Sequence, residues 1–264
     1  MLKTQNIYYS IGKKQILNGI STEFNPGEFN MILGPNGSGK SSFLKIFSGE
    51  INKYDGSVFY GQEKITHLKK EELAKHRAVM SQQPELSFPL MAEEVVMMGR
   101  YPHFTFNPNK KDEDICNEVI ERMNLASFKE RNYLTLSGGE KQRVQYARVL
   151  AQVWEKPATG CRYLFLDEPL TSLDINYQQD FLQIAREFTK VDTVLVAVMH
   201  DINLAIQYAD NLFFLKEGEL IAHGKPKDIL SEELIKKVFN VPVTIINNPV
   251  TGDPLVVYSN GPVK

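Results

Sequence analysis

A glycine-rich motif of eight residues constrains the fold of this chain more than any other feature. Residues Gly34–Ser41 match the pattern G-x-x-x-x-G-K-[ST] at every defined position. An apolar run ending at Leu33 predicts a buried strand that enters the motif, and the apolar spacing from Phe43 to Phe47 predicts a helix that leaves it. The same letters could form a glycine-rich turn without a ligand. The complete motif in this context favours a site for a nucleoside triphosphate.

Each residue type in the motif has a physical reason to be there. Glycines at positions 34, 37 and 39 allow tight turns, so that several backbone N–H groups can converge on one anion. The N-terminus of the following helix adds a dipole that favours phosphate. Lys40 is expected to reach the β- and γ-phosphates, and the Ser41 hydroxyl is expected to bind Mg²⁺.

Composition argues against several classes of protein. The net charge is −2 at pH 7, which provides no basic footprint for nucleic acid. Cys116 and Cys161 lack the spacing of metal ligands and predict reduced thiols in a cytosolic compartment. The N-terminus has no signal-peptide core, and no apolar run approaches the ~20 residues that span a bilayer. We therefore expect any membrane role to depend on a partner.

The first part of the chain predicts antiparallel strands. Short β-like runs between residues 2 and 24 flank a turn at 12–14. An aromatic side chain just before this turn could stack on an adenine ring, and Tyr9 is the candidate. Tyr8 and Ile11 are also close, and a tyrosine buried in a strand is an equally good interpretation of Tyr9.

A helical segment interrupts the strands from Met91 to about Gln152, where apolar residues recur at spacings of three and four. The polar run 107–114 predicts a loop between its helices. Within the segment, Ser137 and Glu140 form a capping-box pattern that could simply start a helix. The glycines at 138 and 139 would also expose backbone N–H groups to an anion, so both interpretations stay open.

Two later apolar runs predict strands that end in reactive side chains. Residues 162–167 form a run typical of a strand buried on both faces, with Asp167 and Glu168 at its carboxyl end. Asp167 suits a Mg²⁺ ligand and Glu168 suits a general base for water. The alternative is a solvated strand end stopped by Pro169. The second run ends at His200, which is expected to face the same nucleotide.

The remaining C-terminal part predicts small elements. These are a hairpin over 213–221, an amphipathic helix over 231–240, and a second hairpin around 251–253.

Taken together, the order of these motifs resembles the ATP-binding subunits of ABC transporters. The resemblance covers essentially the whole chain. It implies an α/β fold that has a P-loop ATPase core with a mixed, largely parallel central sheet, an N-terminal antiparallel β subdomain and a helical insert. A single domain over 1–264 is implied, with 1–90 and 160–264 as the core and about 91–155 as the helical subdomain.

The resemblance also implies roles for individual residues. ATP would contact Gly34, Pro35, Asn36, Gly37, Ser38, Gly39, Lys40, Ser41, Ser42 and Tyr9 of one chain, and Ser137, Gly138, Gly139 and Asp174 around the signature motif and D-loop. Mg²⁺ would be held by Ser41, Gln82 and Asp167. Catalysis would use Glu168, His200 and Gln82. Gln83 is an alternative to Gln82, and the segment 169–174 departs slightly from the common D-loop pattern.

In such proteins two copies would sandwich two ATP molecules. Each nucleotide would lie between one chain's phosphate loop and the other chain's signature motif. Closing and reopening of the dimer would drive transmembrane permease subunits docked near Gln82 and the helical insert, and indirectly a substrate-binding protein. The chain would be a peripheral protein on the cytoplasmic face of the inner membrane.

Further segments are similar to one group of importers. Residues 95–103, 241–243 and 249–252 resemble the importers of iron-siderophore, haem and cobalamin compounds. The insert Trp154–Cys161 resembles the haem-importing members, although a longer surface loop explains it equally well. The alternatives are an importer of ferric siderophores or cobalamin, or a soluble ABC ATPase of iron–sulfur cluster assembly.

Overall fold

The computed structural model describes residues 1–81, 86–157, 160–171, 173–190 and 192–259. The strands are β1 (Leu2–Ile11), β2 (Lys14–Phe24), β3 (Phe29–Leu33), β4 (Asp55–Tyr60), β5 (Glu63–Lys64), β6 (Arg77–Met80), β7 (Arg162–Asp167), β8 (Thr193–Val198), β9 (Asn211–Lys216), β10 (Glu219–Gly224), β11 (Val243–Asn247) and β12 (Pro254–Tyr258). The α-helices are α1 (Lys40–Phe47), α2 (Lys70–His76), α3 (Ala92–Met97), α4 (Lys110–Arg122), α5 (Gly138–Gln152), α6 (Ile175–Thr189), α7 (Ile202–Tyr208), α8 (Pro226–Ile229) and α9 (Glu232–Phe239).

These elements form two compact units. One unit comprises Met1–His67 and Arg186–Lys264, and the other comprises Leu68–Ala185. The α/β class and the antiparallel subdomain predicted from the sequence are confirmed. The predicted subdivision at residues 90, 91, 155 and 160 stays a prediction. None of the described helices is both long enough and apolar enough to cross a membrane.

The first unit contains an antiparallel sheet and a mainly parallel one. β1 pairs with β2 and β4, as the hairpin pattern around residues 12–14 predicts. β3 lies between β8 and β9 and is parallel to both, and β10 is antiparallel to β9. All residues of β3 and β8 are buried, which explains their nearly continuous apolar sequences. The carboxyl ends of β3, β8 and β9 therefore meet at the same edge.

Aromatic side chains join the layers of this unit. Phe24 of β2 lies 5.6 Å from Phe47 of α1 and 4.8 Å from Phe213 of β9, measured between ring centroids. All three side chains are almost fully buried. Burial of each such ring stabilises the unit by about 1.5–3 kcal/mol relative to leaving it exposed.

The second unit is mainly helical and has one parallel strand pair. β6 and β7 pair in parallel, with Ala78 opposite Leu164. The centre of α5 is fixed by Tyr146, whose ring stacks on Phe181 of α6 with centroids 3.8 Å apart. The helical character predicted for residues 91–152 is confirmed.

One boundary prediction in this unit is wrong. Residues 107–114 were expected to form a loop, but α4 begins at Lys110. The Asn109 side chain accepts hydrogen bonds from the N–H groups of Lys111 and Asp112, and the Asp112 carboxylate accepts one from the Asn109 N–H. This reciprocal capping box starts a helix within a polar run that has little apolar periodicity.

The predicted C-terminal elements are confirmed. β9 and β10 turn through Glu217 and Gly218, both with positive φ, and β11 pairs with β12. α9 begins after Ser231, whose hydroxyl accepts a hydrogen bond from the Leu234 N–H, and ends at Asn240 in the left-handed conformation.

Candidate nucleotide-binding site

The phosphate loop follows the end of β3 as predicted. A Cβ atom added to Gly34 would lie 2.1 Å from the carbonyl oxygen of Leu215 in β9, so only glycine fits there. Gly39, with φ +98°, precedes α1, and its added Cβ would meet a Leu17 methyl at 2.6 Å. The glycines predicted to let the loop turn thus also permit two neighbouring strands to approach it.

Residue Gly218 in the β9–β10 turn completes the loop from a distant part of the sequence. Its N–H donates to the Ser38 carbonyl oxygen at 3.1 Å, and its carbonyl accepts from the Asn18 N–H at 2.8 Å. A Cβ on Gly218 would lie 2.4 Å from the Ile16 carbonyl oxygen. The hairpin was predicted from the sequence, but nothing in the sequence indicated that its turn supports the phosphate loop.

Two polar side chains inside the loop fit an anionic ligand. The Lys40 side chain is buried, and its Nζ donates to the carbonyl oxygens of Gly34 and Pro35 at 2.8 and 3.0 Å. The Ser38 hydroxyl is also buried and has no hydrogen-bond partner among the described residues. A buried cation beside an unsatisfied hydroxyl suits phosphate, because both groups gain charge-assisted hydrogen bonds from it.

His200 lies at the same sheet edge as the phosphate loop. The Met199 N–H donates to the Ile32 carbonyl oxygen at 3.0 Å, which extends the pairing of β8 with β3 to the residue before His200. His200 is exposed, and Asp201 directly after it caps α7 through the Leu204 N–H at 2.9 Å. The first unit therefore brings together the phosphate loop and the predicted strand-end histidine.

The adenine-stacking candidate is a half-buried residue of β1. Tyr9 lies opposite Leu17 in the β1–β2 ladder. Tyr8 is 43% exposed and lies over Gly19, and Ile11 is 60% exposed. The choice among the three side chains stays as open as the sequence left it.

In the second unit, Asp167 and Glu168 end β7 as predicted. Asp167 is buried with 4% exposure, and Glu168 is half-buried with φ +51°. A non-glycine residue in this left-handed region carries strain, which persists only where neighbouring contacts enforce it. The Thr171 hydroxyl supplies one such contact by donating to the Glu168 carbonyl oxygen at 3.0 Å.

A glutamine that sequence reasoning missed holds the same segment. Gln142 Nε2 donates to the Pro169 carbonyl oxygen at 2.6 Å. Gln142 belongs to α5, the helix that begins directly after Ser137. Because Pro169 is distant in sequence, no local pattern could have predicted this bond. The signature motif and the Glu168 segment are thus attached to each other within one chain.

The capping box predicted at Ser137 is confirmed. Its hydroxyl accepts from the Glu140 N–H at 3.3 Å, and the Glu140 carboxylate accepts from the Ser137 N–H at 2.7 Å. This backbone donor, together with nearby Arg131 at 3.1 Å, lowers the pKa of the Glu140 carboxyl. Ser137 and Gly138 remain exposed, so the cap leaves them accessible to a ligand or a second chain.

Of the other predicted site residues, Asp174 is described by the structure and Gln82 is not. Asp174 caps α6, where its carboxylate accepts from the Tyr177 N–H at 3.1 Å. Gln82 and its alternative Gln83 lie outside the described residues. Each unit thus holds its own part of the predicted constellation.

A groove crosses the surface of the helical unit. It has a volume of about 790 Å³ and apolar walls that include Met97, Tyr101, Phe104 and Phe106. Acidic residues Glu93, Glu94 and Glu113 also line it. Phe106 at this groove is 91% exposed.

A buried cluster of charges lies in the same helical unit. Arg100 is 1% exposed and donates to Asp112 at 3.0 Å, to Glu155 at 2.5 Å and to the Ala151 carbonyl oxygen at 2.8 Å. Burial raises the pKa of the Glu155 carboxyl, but hydrogen bonds from Lys111 and Arg100 outweigh this effect and lower it overall. The segment 95–103 and the insert that begins at Trp154, singled out separately in the sequence, are therefore joined through Arg100 and Glu155.

Comparison with known proteins places these features in a family. The family description "ABC transporter" matches residues 17–171. The hemin import ATP-binding protein HmuV of Gloeobacter violaceus is 42% identical over 257 residues, which cover 97% of this chain and 94% of that protein. The HmuV protein of Escherichia coli O157:H7 is 36% identical over 98% of this chain and 100% of its own length.

Solved structures agree on the fold. An inward-facing putative metal-chelate type ABC transporter matches with a TM-score of 0.81 and 21% identity, covering 98% of this chain and 96% of that chain. A dimeric ATP-binding cassette in a post-hydrolysis state, bound to ADP and Pi, matches with a TM-score of 0.71 and 28% identity. That match covers 85% of this chain and 98% of the cassette.

Proposed function

This chain belongs to the family of ABC transporter ATP-binding proteins, and we propose that it hydrolyses ATP to power the import of haem through a separate membrane permease. The observation that carries the haem assignment is identity of 36–42% with hemin import ATP-binding proteins over nearly the whole chain. The ATPase assignment rests on the family match and is supported by the phosphate loop with its buried Lys40.

ATP would bind at the carboxyl edge of β3. The Lys40 ammonium and the backbone N–H groups of residues 34–42, except Pro35, which has none, would bind the phosphates, and the unsatisfied Ser38 hydroxyl would gain a partner there. Tyr9 is the proposed adenine-stacking residue. The proposed Mg²⁺ ligands are the Ser41 hydroxyl, the Asp167 carboxylate and Gln82, because such a hard ion prefers oxygen ligands. When bound, this ion neutralises charge on the transferring phosphates.

Glu168 is the proposed general base. A carboxylate directly after the Mg²⁺ ligand can orient the attacking water and accept its proton. His200 is proposed to contact the γ-phosphate, and this role is supported by its exposed position one strand away from the phosphate loop. Gln82 would complete the site.

A second copy of the chain is the proposed partner that closes the site. Ser137, Gly138, Gly139 and Asp174 would then contact the nucleotide held by the other copy. Exposure of Ser137 and Gly138 supports this arrangement, as does the dimeric state named for a related cassette. The proposed unit is a homodimer of single ABC ATPase domains, each spanning residues 1–264.

Permease subunits are the proposed second kind of partner. The apolar groove with exposed Phe106 offers a surface on the helical unit for such a subunit. A substrate-binding protein would act on the permease from the other side of the membrane. The ATPase would then lie on the cytoplasmic face of the inner membrane without contacting nucleic acid.

The test is the ATPase activity of the transporter reconstituted with its own permease and substrate-binding protein. Haem-loaded binding protein is expected to stimulate hydrolysis, whereas forms loaded with cobalamin or a ferric siderophore are not. A transporter carrying Glu168→Gln is the matched control for hydrolysis by this chain. Stimulation by cobalamin or a siderophore, but not by haem, would contradict the cargo assignment and leave the ATPase assignment intact.

A further inference from the structure

One asparagine side chain ties the C-terminal hairpin to the helix that follows His200. Asn203 Oδ1 accepts from the Val256 N–H at 2.9 Å, and Asn203 Nδ2 donates to the Val256 carbonyl oxygen at 3.0 Å. One side chain therefore satisfies both backbone groups of a buried residue in β12. It takes the place that a neighbouring strand would occupy on that edge of the hairpin.

Asn203 belongs to α7, which starts two residues after His200 and has only seven residues. An isolated helix of this length is unstable in water, so its position depends on its tertiary contacts, which are the buried side chains of Ile202, Ala205 and Ile206 and the groups that hold its ends. At the carboxyl end, Asp210 accepts from the Phe29 N–H at 2.8 Å and from Arg186 at 2.6 Å. At the amino end, next to His200, Asn203 provides the contact with the hairpin.

The hairpin is held by the rest of the C-terminal segment. The Glu232 carboxylate at the start of α9 accepts from the Ile245 N–H at 3.0 Å. A two-stranded hairpin is marginally stable by itself, so these contacts determine its position. Residues Ile246 and Val257 in the hairpin are 44% and 43% exposed. Displacement of the hairpin would therefore pull on Val256, and through Asn203 on the start of α7.

We propose that Asn203 is a positioning residue that couples the C-terminal hairpin to His200. In this arrangement the Asn203–Val256 contact fixes the first turn of α7, and Asp201 at its start fixes the backbone of His200. The inference rests on the proposed function, in which His200 contacts the γ-phosphate. It adds to that function that the position of the C-terminal hairpin, acting through Asn203 and His200, affects the rate of ATP hydrolysis.

The first experiment tests the contact without nucleotide and without activity. Asn203→Leu keeps the size of the side chain and removes both hydrogen bonds. Hydrogen exchange of the peptide 199–209 is expected to become about tenfold faster in this variant, since the lost bonds hold the start of α7. Unchanged exchange would overturn the proposal.

The matched control is Asn248→Ala at the tip of the same hairpin. Asn248 accepts from the Val250 N–H at 2.9 Å, and the hydrogen bonds that it forms with other described residues lie within that tip. Its loss is expected to leave the exchange of 199–209 unchanged. Equal acceleration in both variants would mean that any damage to the hairpin has this effect, which would also overturn the role of Asn203.

The second experiment measures steady-state hydrolysis of ATP. Asn203→Leu is expected to lower kcat about tenfold without changing the KM for ATP, as expected when positioning for the chemical step is lost. In a His200→Ala background the same change is expected to have no further effect, because the residue through which it acts is absent. An equal loss in both backgrounds would overturn the coupling to His200.

A second variant covers the case in which Asn203→Leu does not fold. Asn203→Asp keeps the acceptor for the Val256 N–H but replaces the donor by a charged oxygen that faces the Val256 carbonyl, so a change in the same direction is expected. If the wild-type chain fails to hydrolyse ATP, the proposed function is wrong, whereas the exchange measurement still decides whether Asn203 holds α7.

Discussion

At the scale of single residues, the site depends on backbone positions as much as on charged side chains. Glu168 combines a carboxylate with a positive φ, and Gly34 combines phosphate-loop geometry with contact against the Leu215 carbonyl. The residue types were predictable from motif spacing. Their conformations were not, because they depend on contacts that the motif spacing does not encode: Leu215 lies against Gly34, and the Thr171 hydroxyl binds the Glu168 carbonyl oxygen.

The Glu168→Gln variant is expected to bind ATP but to hydrolyse it at least ~10²-fold more slowly, the scale for removal of a general base. ATP binding is measured by fluorescence of a nucleotide analogue and hydrolysis by phosphate release. The variant should also accumulate as an ATP-bound dimer on size-exclusion chromatography. A near wild-type rate would remove Glu168 from the role of base.

The Gly34→Ala variant is expected to lower the free energy of unfolding by about 3 kcal/mol, because the new methyl group has no room beside β9. Gly37→Ala is the control, since an added Cβ there meets nothing within 4 Å. Its positive φ alone should cost about 1–2 kcal/mol. Urea unfolding without nucleotide measures both. Equal losses would show that the close approach of Leu215 is unimportant.

At the scale of elements, the helical unit contains a buried charge, Arg100, whose burial could not be predicted from the sequence. Helical periodicity predicted helices between residues 91 and 152. The run 107–114 was assigned to a loop because its residues are polar, whereas the start of α4 within it depends on capping by Asn109, which apolar periodicity does not detect. The same limit applies to Arg100, whose burial and three partners depend on how α4 and α5 pack.

Substitution Arg100→Met is expected to destabilise the helical unit by about 3–5 kcal/mol, because it leaves the buried Asp112 carboxylate without its cation. Trp154 is the only tryptophan in the sequence and donates to Glu118 on α4, so its fluorescence can follow unfolding of this region.

The control for this prediction lies on α4, the helix that carries Asp112. Lys110 pairs with Asp114 at 3.0 Å, but the pair is exposed. Lys110→Ala is therefore expected to leave the thermal midpoint almost unchanged, since solvent already screens that interaction. If Arg100→Met were equally harmless, the cluster would have no structural role in holding residues 154–155.

At the scale of the whole molecule, the sequence predicted a dimer and a permease partner, which the structure of one chain does not test. The order of motifs indicated the family, and the comparisons confirm it. The arrangement of two copies and the permease could not be derived from local patterns, because no residue pattern encodes which surfaces meet. Those features remain proposals that mixing experiments can address.

Mixing two inactive variants tests the shared site. Ser137→Arg is expected to inactivate the composite site that combines this serine with the phosphate loop of the partner chain. Lys40→Ala is expected to inactivate the site that contains the phosphate loop of its own chain. A heterodimer would retain one intact composite site, so activity of the mixture should exceed that of either variant alone. Differently tagged chains purified in tandem establish that heterodimers form. Activity no higher than that of the separate variants would contradict sharing.

The Gly218 contact has a consequence for how the protein is made. The phosphate motif is contiguous in sequence, yet β3 is flanked by β8 and β9, and the loop is braced by a turn that leaves the ribosome much later. Contacts that join distant parts of a chain form late in folding. A nascent chain arrested before Gly218 emerges should therefore display the complete nucleotide motif and still be unable to retain ATP. In that case synthesis itself would delay binding of the first nucleotide until most of the polypeptide has left the exit tunnel.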